Sequence, residues 1–459
     1  MELNMTEKDT KISKTTLDKP IIDEVQKSQK VNEPILNDKE NLEPQKDVTK
    51  TILSPERSKS NGNSLFSKYD NLQLWQKILI VSVLGVTILS IVGYGVYMYV
   101  FNQPISPAKI VNLSLNYIEP QSNNSDLNDI NSYQLALTDP TVPKTEVSPL
   151  NGLLFTKADM DKLKQHRPVA VMTNNHVAAR PQSGLSSADI VYEAMTEGGI
   201  SRYMAIYWSK LPSKVGPIRS AREYYLEWLS EFDALYIHDG CASTTDPRTN
   251  ACGNIVTFGI KNIGTVGAWR VNDGIRFAPH NEYSSAAYAV EYAKTKNWDG
   301  FASSVQSLKF KKDANLTDRG NRTDVKIKLR KDLNNGGTYD SEWIYDKTSN
   351  LYQHKIGGQA DYDNENNKAP IQAKVVVVQE VTMQDAYDGH SRVIITTTGT
   401  GKAVILQDGK ITNGTWKKAS RSDRTKYYDN KGNEINFNRG LLWITELPKD
   451  QGSFDIINQ

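Results

Sequence analysis

An uncharged run of 24 residues, 78–101, constrains this chain more than any other feature of its sequence. A helix rises about 1.5 Å per residue, so a run of this length covers the roughly 30 Å hydrocarbon core of a bilayer. A buried helix of a globular protein is the alternative, but such helices rarely stay apolar on every face for so long. The run therefore predicts a single transmembrane helix over residues 78–101.

Basic residues around this run predict its orientation. Arg57, Lys59, Lys68 and Lys77 precede the run, whereas Lys109 alone follows it closely. Cations beside a membrane span favour its cytoplasmic side, so we expect a cytoplasmic amino terminus and extracytoplasmic folded domains. A cleaved signal peptide is disfavoured, because the run begins far from residue 1 and exceeds the apolar region of such peptides.

The segments on either side of the run lack the composition of a folded core. Residues 1–77 contain 13 basic and 13 acidic residues and few aromatic ones, which predicts a disordered cytoplasmic tail. Residues 102–150 are rich in Asn, Ser and Pro and lack a sustained periodicity, which predicts an extracytoplasmic linker.

Whole-chain counts exclude several classes of protein. The 459 residues are too many for one ordinary core, so two or three domains are expected. A net charge of +2 argues against a nucleic-acid partner. Two cysteines are too few for a disulfide scaffold, and their spacing is not that of a zinc ribbon. We expect no cofactor and no metal ion.

The remaining residues predict an α+β fold in two modules. In residues 151–304, a mixed α/β domain, the Gly198-Gly199 pair separates two apolar runs that read as a hairpin. In residues 305–459 the pattern changes to short apolar runs between turn signals, which predicts a β-rich domain. Strands are predicted over 167–173, 189–195, 201–208, 233–238, 305–310, 325–329, 343–345, 375–381, 392–397, 403–407 and 441–445, and helices over 221–230 and 284–294.

Several long motifs in a fixed order resemble one bacterial family. They are RPVAVMTNNHVAARPQSGLSSADIVYEAMTEGGISRYMAIY, GPIRSAREYYLE, APHNEY and VILQDGKITNGTWKKASRSDRTKYYD. These motifs resemble the YerB-like envelope proteins, which are built of an amino-terminal and a carboxy-terminal domain of unknown function. The resemblance covers about residues 150–450 and implies an extracytoplasmic protein without supplying a reaction. The chain departs from that family in two places: the uncharged run replaces the lipidated cysteine of many relatives, and Asn174 stands where relatives often have Asp.

The segment from Gly216 to Arg222 is the best-motivated candidate site. Ser220 and Glu223 have the spacing of a capping box, which predicts that Ser220 caps a helix beginning at about Ala221. A helix amino terminus with Arg219 and Arg222 in its first turn would suit a phosphate or carboxylate. The alternative is an internal salt bridge to a carboxylate such as Glu193.

Three histidines, His176, His238 and His280, follow or end predicted strands or loops, where they could converge as a metal site or a general base. Individual local hydrogen bonds are the more common outcome for such histidines. Neighbouring Asn175 and Asn281 complete the candidate ligand-binding set. Carboxylates for acid/base catalysis could come from Asp189, Glu193, Glu197 and Asp239. More commonly, such residues are simply charged side chains at hairpin edges and turns.

Cys241 and Cys252 would lie outside the membrane in this topology, and the segment between them can turn back on itself. These features predict a disulfide, with two buried thiols as the alternative.

Two functional hypotheses follow. The first is a membrane-anchored envelope protein that binds an anionic wall polymer, a lipid-linked ligand or a protein partner. The second is an envelope hydrolase or transferase that uses a histidine or glutamate with Arg219 and Arg222 as anion stabilisers. The sequence does not decide whether the protein is an enzyme.

Overall fold

The computed structural model describes residues 72–101, 141–321, 323–332 and 336–458. Most of the predicted tail and most of the predicted linker lie outside these residues. The chain divides into two units, residues 1–103 and 104–459.

The first unit contains helix α1 (Leu74–Phe101). Among the residues that the structure describes, no helix is both long and apolar enough to cross a membrane. The structure thus gives no support to the transmembrane span predicted over residues 78–101.

The second unit is rich in strands and has few helices, which agrees with the predicted α+β class. Its described helices are α2 (Lys157–Leu163), α3 (Glu223–Leu229), α4 (Ala251–Thr257) and α5 (Ala286–Lys294). Its first described strands are β1 (Glu146–Val147), β2 (Leu154–Phe155), β3 (Val169–Asn174), β4 (Ile190–Met195), β5 (Ser201–Tyr207), β6 (Leu235–Ile237), β7 (Lys261–Gly264), β8 (Trp269–Arg270), β9 (Glu282–Tyr283), β10 (Lys309–Lys311), β11 (Asp324–Lys328) and β12 (Ser341–Asp346). The later ones are β13 (Leu351–Ile356), β14 (Gln359–Ala360), β15 (Gln372–Ala373), β16 (Val375–Val381), β17 (Met383–Asp385), β18 (Val393–Ile395), β19 (Gly399–Gln407), β20 (Lys410–Lys418), β21 (Lys426–Asp429), β22 (Asn436–Asn438), β23 (Leu442–Pro448) and β24 (Ser453–Asn458).

One large sheet contains strands from both predicted modules. Its ten strands lie in the order β21-β20-β19-β16-β23-β4-β5-β3-β6-β7. The β23 strand pairs in parallel with both β16 and β4, and so joins the end of the chain to its middle. Strands from either side of residue 304 therefore share one sheet.

Both faces of this sheet are covered, which explains why β3 is buried along its whole length. Successive strand residues point to opposite faces. Val169 and Val171 accordingly pack in one core, with Trp343 of a second sheet built on β11–β15 and β24. Ala170 and Met172 pack in the other core, which contains the apolar residues of α3.

The three tryptophans of the predicted β-rich module belong to these cores. Trp343 and Trp443 are fully buried, and Trp416 is only 3% exposed. The indole nitrogen of Trp416 donates a hydrogen bond to the Glu380 carbonyl at 2.8 Å. A sugar-stacking platform, which needs an exposed ring face, is therefore disfavoured at Trp416.

Candidate functional site

The segment Arg219–Arg222 is extended backbone and not the first turn of a helix. The Arg219 amide donates to the Met172 carbonyl of β3 at 2.8 Å, and the Ala221 amide donates to the Gly240 carbonyl at 2.9 Å. These bonds hold the segment between the end of β3 and the loop after β6.

The predicted cap at Ser220 is therefore wrong, although a helix does follow it. Helix α3 begins at Glu223, and its N-cap is Arg222, which makes no side-chain capping bond. The reason is long-range: strand-like pairing has already engaged the backbone before Arg222, and it overrides the local capping pattern. Since α3 has only seven residues, the site cannot rest on a helix dipole.

Arg222 forms an internal ion pair, but not with the carboxylate suggested by the sequence. Its guanidinium contacts Glu197, and Arg202 lies 3.4 Å from the same carboxylate. Burial alone would raise the pKa of Glu197, but the two guanidiniums outweigh burial and hold it below its usual range. Arg222 is therefore neutralised within the fold.

Glu193 lies instead in the core, in contact with the second sheet. It accepts hydrogen bonds from the hydroxyls of Ser201 and Ser341 at 3.1 Å. The Trp443 indole and the Thr445 hydroxyl also donate to it, each at 3.3 Å. Glu193 is fully buried, so it serves the packing of the two sheets.

A serine, a histidine and an aspartate next to Glu193 have the order of a hydrolase triad. His354 lies 2.7 Å from Asp361 through Nδ1 and 3.2 Å from the Ser341 hydroxyl through Nε2. However, all three residues are buried, and the Ser341 hydroxyl is 3.1 Å from both Glu193 oxygens. Its single proton is directed to that carboxylate, so Ser341 is not arranged as a nucleophile.

Two of the three candidate histidines come together. The rings of His176 and His280 are stacked, with centroids 4.3 Å apart and planes inclined by 17°. His238 instead uses both nitrogens locally, at 2.7 Å from the Gly240 carbonyl and 2.9 Å from the Asn262 side chain. Among the described residues, no group of three or more His, Cys, Asp or Glu side chains could hold a metal ion.

Asn174 links the two stacked rings. Its side-chain oxygen accepts a hydrogen bond of 3.0 Å from the backbone amide of His176. Its side-chain nitrogen lies 3.0 Å from Nδ1 of His280. Nδ1 of the His176 ring in turn accepts a hydrogen bond of 3.2 Å from the backbone amide of Ala178. The end of β3 and the turn after it therefore hold both rings in place.

Arg219 is the cation of this site, and its guanidinium has no hydrogen bond or ion pair to any described residue. The side chain is half-buried, and burial is the largest cause that lowers its pKa. Burial and the charge of Arg219 also lower the pKa of both His176 and His280, which keeps the rings neutral. We call Arg219, His176, His280 and Asn174 the Arg219 cluster.

A pair of carboxyl groups, those of Asp239 and Glu282, lies near Arg219. Arg270 contacts Glu282 and lies 3.6 Å from Asp239. Burial and the neighbouring Asp239 raise the pKa of Glu282 to about 7. Sequence reasoning missed Glu282 and Arg270, although Glu282 falls within the APHNEY motif that contains His280.

The two candidate asparagines hold loops in position. Asn281 donates to the Val271 carbonyl at 2.9 Å and accepts from Arg270 at 3.1 Å. Asn175 donates to the Ser201 hydroxyl at 2.8 Å and accepts from Arg180 at 3.0 Å. Their amides are engaged within the protein.

The two cysteines are paired as predicted. Cys241 and Cys252 form a disulfide with their Cα atoms 5.3 Å apart. Cys241 also forms a parallel β-bridge with Ala221 through the backbone. The disulfide therefore connects the Arg219–Arg222 segment to α4, which contains Cys252.

A cleft of about 400 Å³ is lined by Val177, which follows His176 in sequence, and by Arg180. Asp361 and Tyr362 also line it. The Arg180 guanidinium donates only to uncharged oxygens, those of Asn175 and Thr338 among them. The cleft thus has a second cation without a carboxylate partner among the described residues.

Comparisons with known proteins agree with the motif resemblance. Residues 155–299 match the family described as protein of unknown function (DUF3048), N-terminal domain, and residues 329–444 match its C-terminal domain. A Bacillus subtilis protein named "Putative lipoprotein YerB" is 31% identical over 315 residues, which are 67% of this chain and 88% of that protein. The crystal structure of the YerB protein from Bacillus subtilis has a TM-score of 0.57 at 29% identity and covers 68% of this chain and 100% of that chain. The chain therefore belongs to the YerB-like family, whose amino-terminal and carboxy-terminal domains are of unknown function.

Proposed function

We propose that this chain is an extracytoplasmic protein of the cell envelope that binds an anionic ligand at the Arg219 cluster. The guanidinium of Arg219, which has no hydrogen bond or ion pair to any residue that the structure describes, carries the proposal. A half-buried cation has lost part of its hydration, and a bound anion replaces the lost water with hydrogen bonds and an opposite charge. Arg222, by contrast, is satisfied by Glu197 and has no such need.

The charge balance around the cluster supports an anion. Arginines outnumber carboxyl groups there, and the pKa of one of those carboxyl groups, Glu282, is raised to about 7. The arginines are Arg180, Arg202, Arg219, Arg222 and Arg270, and the carboxyl groups are those of Glu197, Asp239 and Glu282. The surplus is positive, and it includes Arg219, which has no partner among the residues that the structure describes.

Addition of inorganic phosphate to the full chain tests the site. At about 100 times the dissociation constant, a bound anion should stabilise the fold by about 2.7 kcal/mol. Arg219→Gln should abolish the gain and leave the ligand-free melting temperature nearly unchanged, because no described residue would lose a hydrogen bond or an ion pair with Arg219.

Arg248→Gln is the matched control, since Arg248 forms an exposed ion pair with Asp246 away from the cluster. It should retain the full response to phosphate. If no anion stabilises the wild type and Arg219→Gln lowers the ligand-free melting temperature, the guanidinium is structural and the proposal fails.

Attachment to the outer face of the membrane is the second part of the proposal. The uncharged run over 78–101 and the four cations before it support it, as does the word "lipoprotein" in the relative's name. Protease added to cells stripped of their wall should remove an epitope at residue 459 and spare one at residue 1. The opposite protection pattern would contradict this topology.

An envelope hydrolase or transferase is the second candidate. The observation that favours it is the Asp239–Glu282 pair, because a carboxyl group with a pKa of about 7 can serve as a general acid near neutrality. Turnover of a phosphate ester that Glu282→Gln abolishes, with phosphate binding retained, would favour the enzyme over a binding protein.

A further inference from the structure

We infer that Asn174 sets His176 and His280 as a pair of Nε2–H donors, so that the anion bound at the Arg219 cluster is a phosphate group. The inference rests on the proposed function, and it adds the ligand class and the residue that selects it.

The orientation of the Asn174 side-chain amide follows from its contact with a backbone N–H group, that of His176. The backbone amide of His176 can only donate, and it lies 3.0 Å from one end of the Asn174 side chain. That end is therefore the oxygen, and the other end is the NH₂ group, which donates to Nδ1 of His280 at 3.0 Å.

Both rings are consequently fixed in the same tautomer. His280 accepts through Nδ1 from Asn174, and His176 accepts through Nδ1 from the Ala178 amide. A neutral imidazole that accepts at Nδ1 carries its proton at Nε2. Each ring therefore presents an N–H donor, and neither presents a basic nitrogen.

These two donors are available to a ligand. Neither Nε2 atom has a hydrogen bond to any described residue, and neither is among the buried polar atoms that lack one. Both side chains are partly exposed, and the charge of Arg219 acts on both rings. The ring centroids are only 4.3 Å apart, so one small ligand can reach both rings.

The number of donors favours phosphate over carboxylate. Two imidazole N–H groups and the forked guanidinium of Arg219 offer at least four donors, and none of them can accept. A carboxylate has two oxygens, whereas a phosphate ester has three strong acceptor oxygens and a larger charge. The donors belong to three separate groups, so a phosphate ester can offer one oxygen to each group, whereas on a carboxylate two groups must share an oxygen.

Asn174→Asp is the sharpest test of this inference, because it changes one atom of the side chain and reverses the hydrogen bond. A carboxylate accepts from Nδ1–H, which would move the His280 proton to Nδ1 and leave Nε2 as an acceptor. Inorganic phosphate should then bind the full-length variant at least about tenfold more weakly. Asn272→Asp is the control, because it adds the same charge at an exposed position of the loop that leads to His280.

Nitrogen NMR of the histidine rings gives a readout that a merely structural role would not move. The wild type should show His176 and His280 as Nε2–H tautomers, and phosphate should shift both Nε2–H signals. This spectrum tests the inference even if Asn174→Asp fails to fold. An Nδ1–H tautomer for His280 in the wild type would overturn it.

The outcomes separate this inference from the proposed function. If phosphate binds the wild type and Asn174→Asp equally well, the inference fails and anion binding stands. If acetate binds and phosphate does not, the same conclusion follows. If neither binds, both fail.

A phosphate group can belong to a soluble compound or to a lipid, and vesicles distinguish these sources. If the site takes a lipid headgroup, the wild type should bind phosphatidylcholine vesicles that contain phosphatidic acid more tightly than vesicles of phosphatidylcholine alone, whatever binding the uncharged run over 78–101 adds to both. Binding of inorganic phosphate without this preference for phosphatidic acid would indicate a soluble phosphate compound. Loss of phosphate binding or of this preference in Asn174→Asp supports the inference.

Discussion

Glu231→Gln is expected to destabilise the second unit by about 3–5 kcal/mol, which is the usual loss when one member of a buried ion pair is removed. Glu231 is almost fully buried, and it lies 2.9 Å from Lys418 and 2.8 Å from Arg424. The amide and hydroxyl of Thr425 also donate to it. The substitution would leave two buried cations without a counter-ion.

The position of Glu231 explains why this loss should be felt by the whole unit. It lies in the turn after α3, whereas Lys418 ends β20 and Arg424 precedes β21. The ion pairs therefore join residues that are nearly 200 positions apart in sequence. We expect one cooperative transition that is shifted as a whole, rather than a local opening.

The loss should depend on pH. Burial alone would raise the pKa of Glu231, but Lys418 and Arg424 outweigh burial and lower it. A carboxyl group with a lowered folded-state pKa stabilises the fold fully above its unfolded-state pKa of about 4.3, and this contribution is lost as pH falls through the folded-state pKa. The deficit of Glu231→Gln should therefore shrink in acid.

Chemical denaturation of the wild type and the variant measures this effect. Glu291→Gln is the matched control, because Glu291 makes an exposed helical ion pair with Lys294 and should change stability little. Adding Lys418→Met to Glu231→Gln should recover part of the loss, since one stranded charge is removed. A Glu231→Gln variant as stable as Glu291→Gln would show that the buried ion pairs contribute nothing net.

Local patterns predicted many strands but not their neighbours. The runs around Gly198-Gly199 predicted β4 and β5, and the structure confirms them as an antiparallel pair. The β16 strand was also predicted, because its first four residues are all valine, and a strand buried on both faces shows no alternation. Its pairing with β23, and that of β23 with β4, join distant parts of the chain and leave no local signal.

Polar composition hid other strands. The β20 strand, KITNGTWKK, alternates buried and less buried residues only in its second half, and its lysines, asparagine and glycine are uncommon in strands. It is held by β19 on one side and β21 on the other. Such a strand owes its conformation to neighbours more than to its own propensity.

At the candidate site, residue types were easier to predict than partners. His176 follows β3, and His280 precedes β9. The fold brings these two loops together, so the two rings stack. Ser220 failed as a cap because its segment pairs with distant backbone, and Glu197 replaced Glu193 as the partner of an arginine. Each of these outcomes depends on contacts between residues far apart in sequence.

Glu446→Gln is expected to stabilise the protein near neutral pH, in contrast to Glu231→Gln. Glu446 is fully buried in β23, and neither carboxyl oxygen has a hydrogen-bond partner among the described residues. Burial and the negative charge of Glu231 raise its pKa well above the usual range, although Lys418 opposes them. The folded protein therefore keeps Glu446 protonated, whereas the unfolded chain ionises it.

The sign of the pH dependence follows from proton binding. Above the unfolded-state pKa of about 4.3, the unfolded chain releases a proton that the folded protein retains, so the wild type loses stability as pH rises. The slope is about 1.4 kcal/mol per pH unit and ends at the folded-state pKa. Glutamine has the shape of the protonated acid and does not titrate, so the variant escapes this loss.

Free energies of unfolding for the wild type and Glu446→Gln, measured from about pH 5 to about pH 7, should diverge by about 1.4 kcal/mol for each pH unit. Glu291→Gln should run parallel to the wild type over the same range. Parallel curves for Glu446→Gln would mean that Glu446 ionises in the folded state, which requires a cation beside it. Lys418 is the only cation among the causes that shift its pKa, and it is already 2.9 Å from Glu231. If the two curves diverge, the cations in this core neutralise only one of the two buried glutamates. Glu231 is then ionised, and Glu446 is neutral.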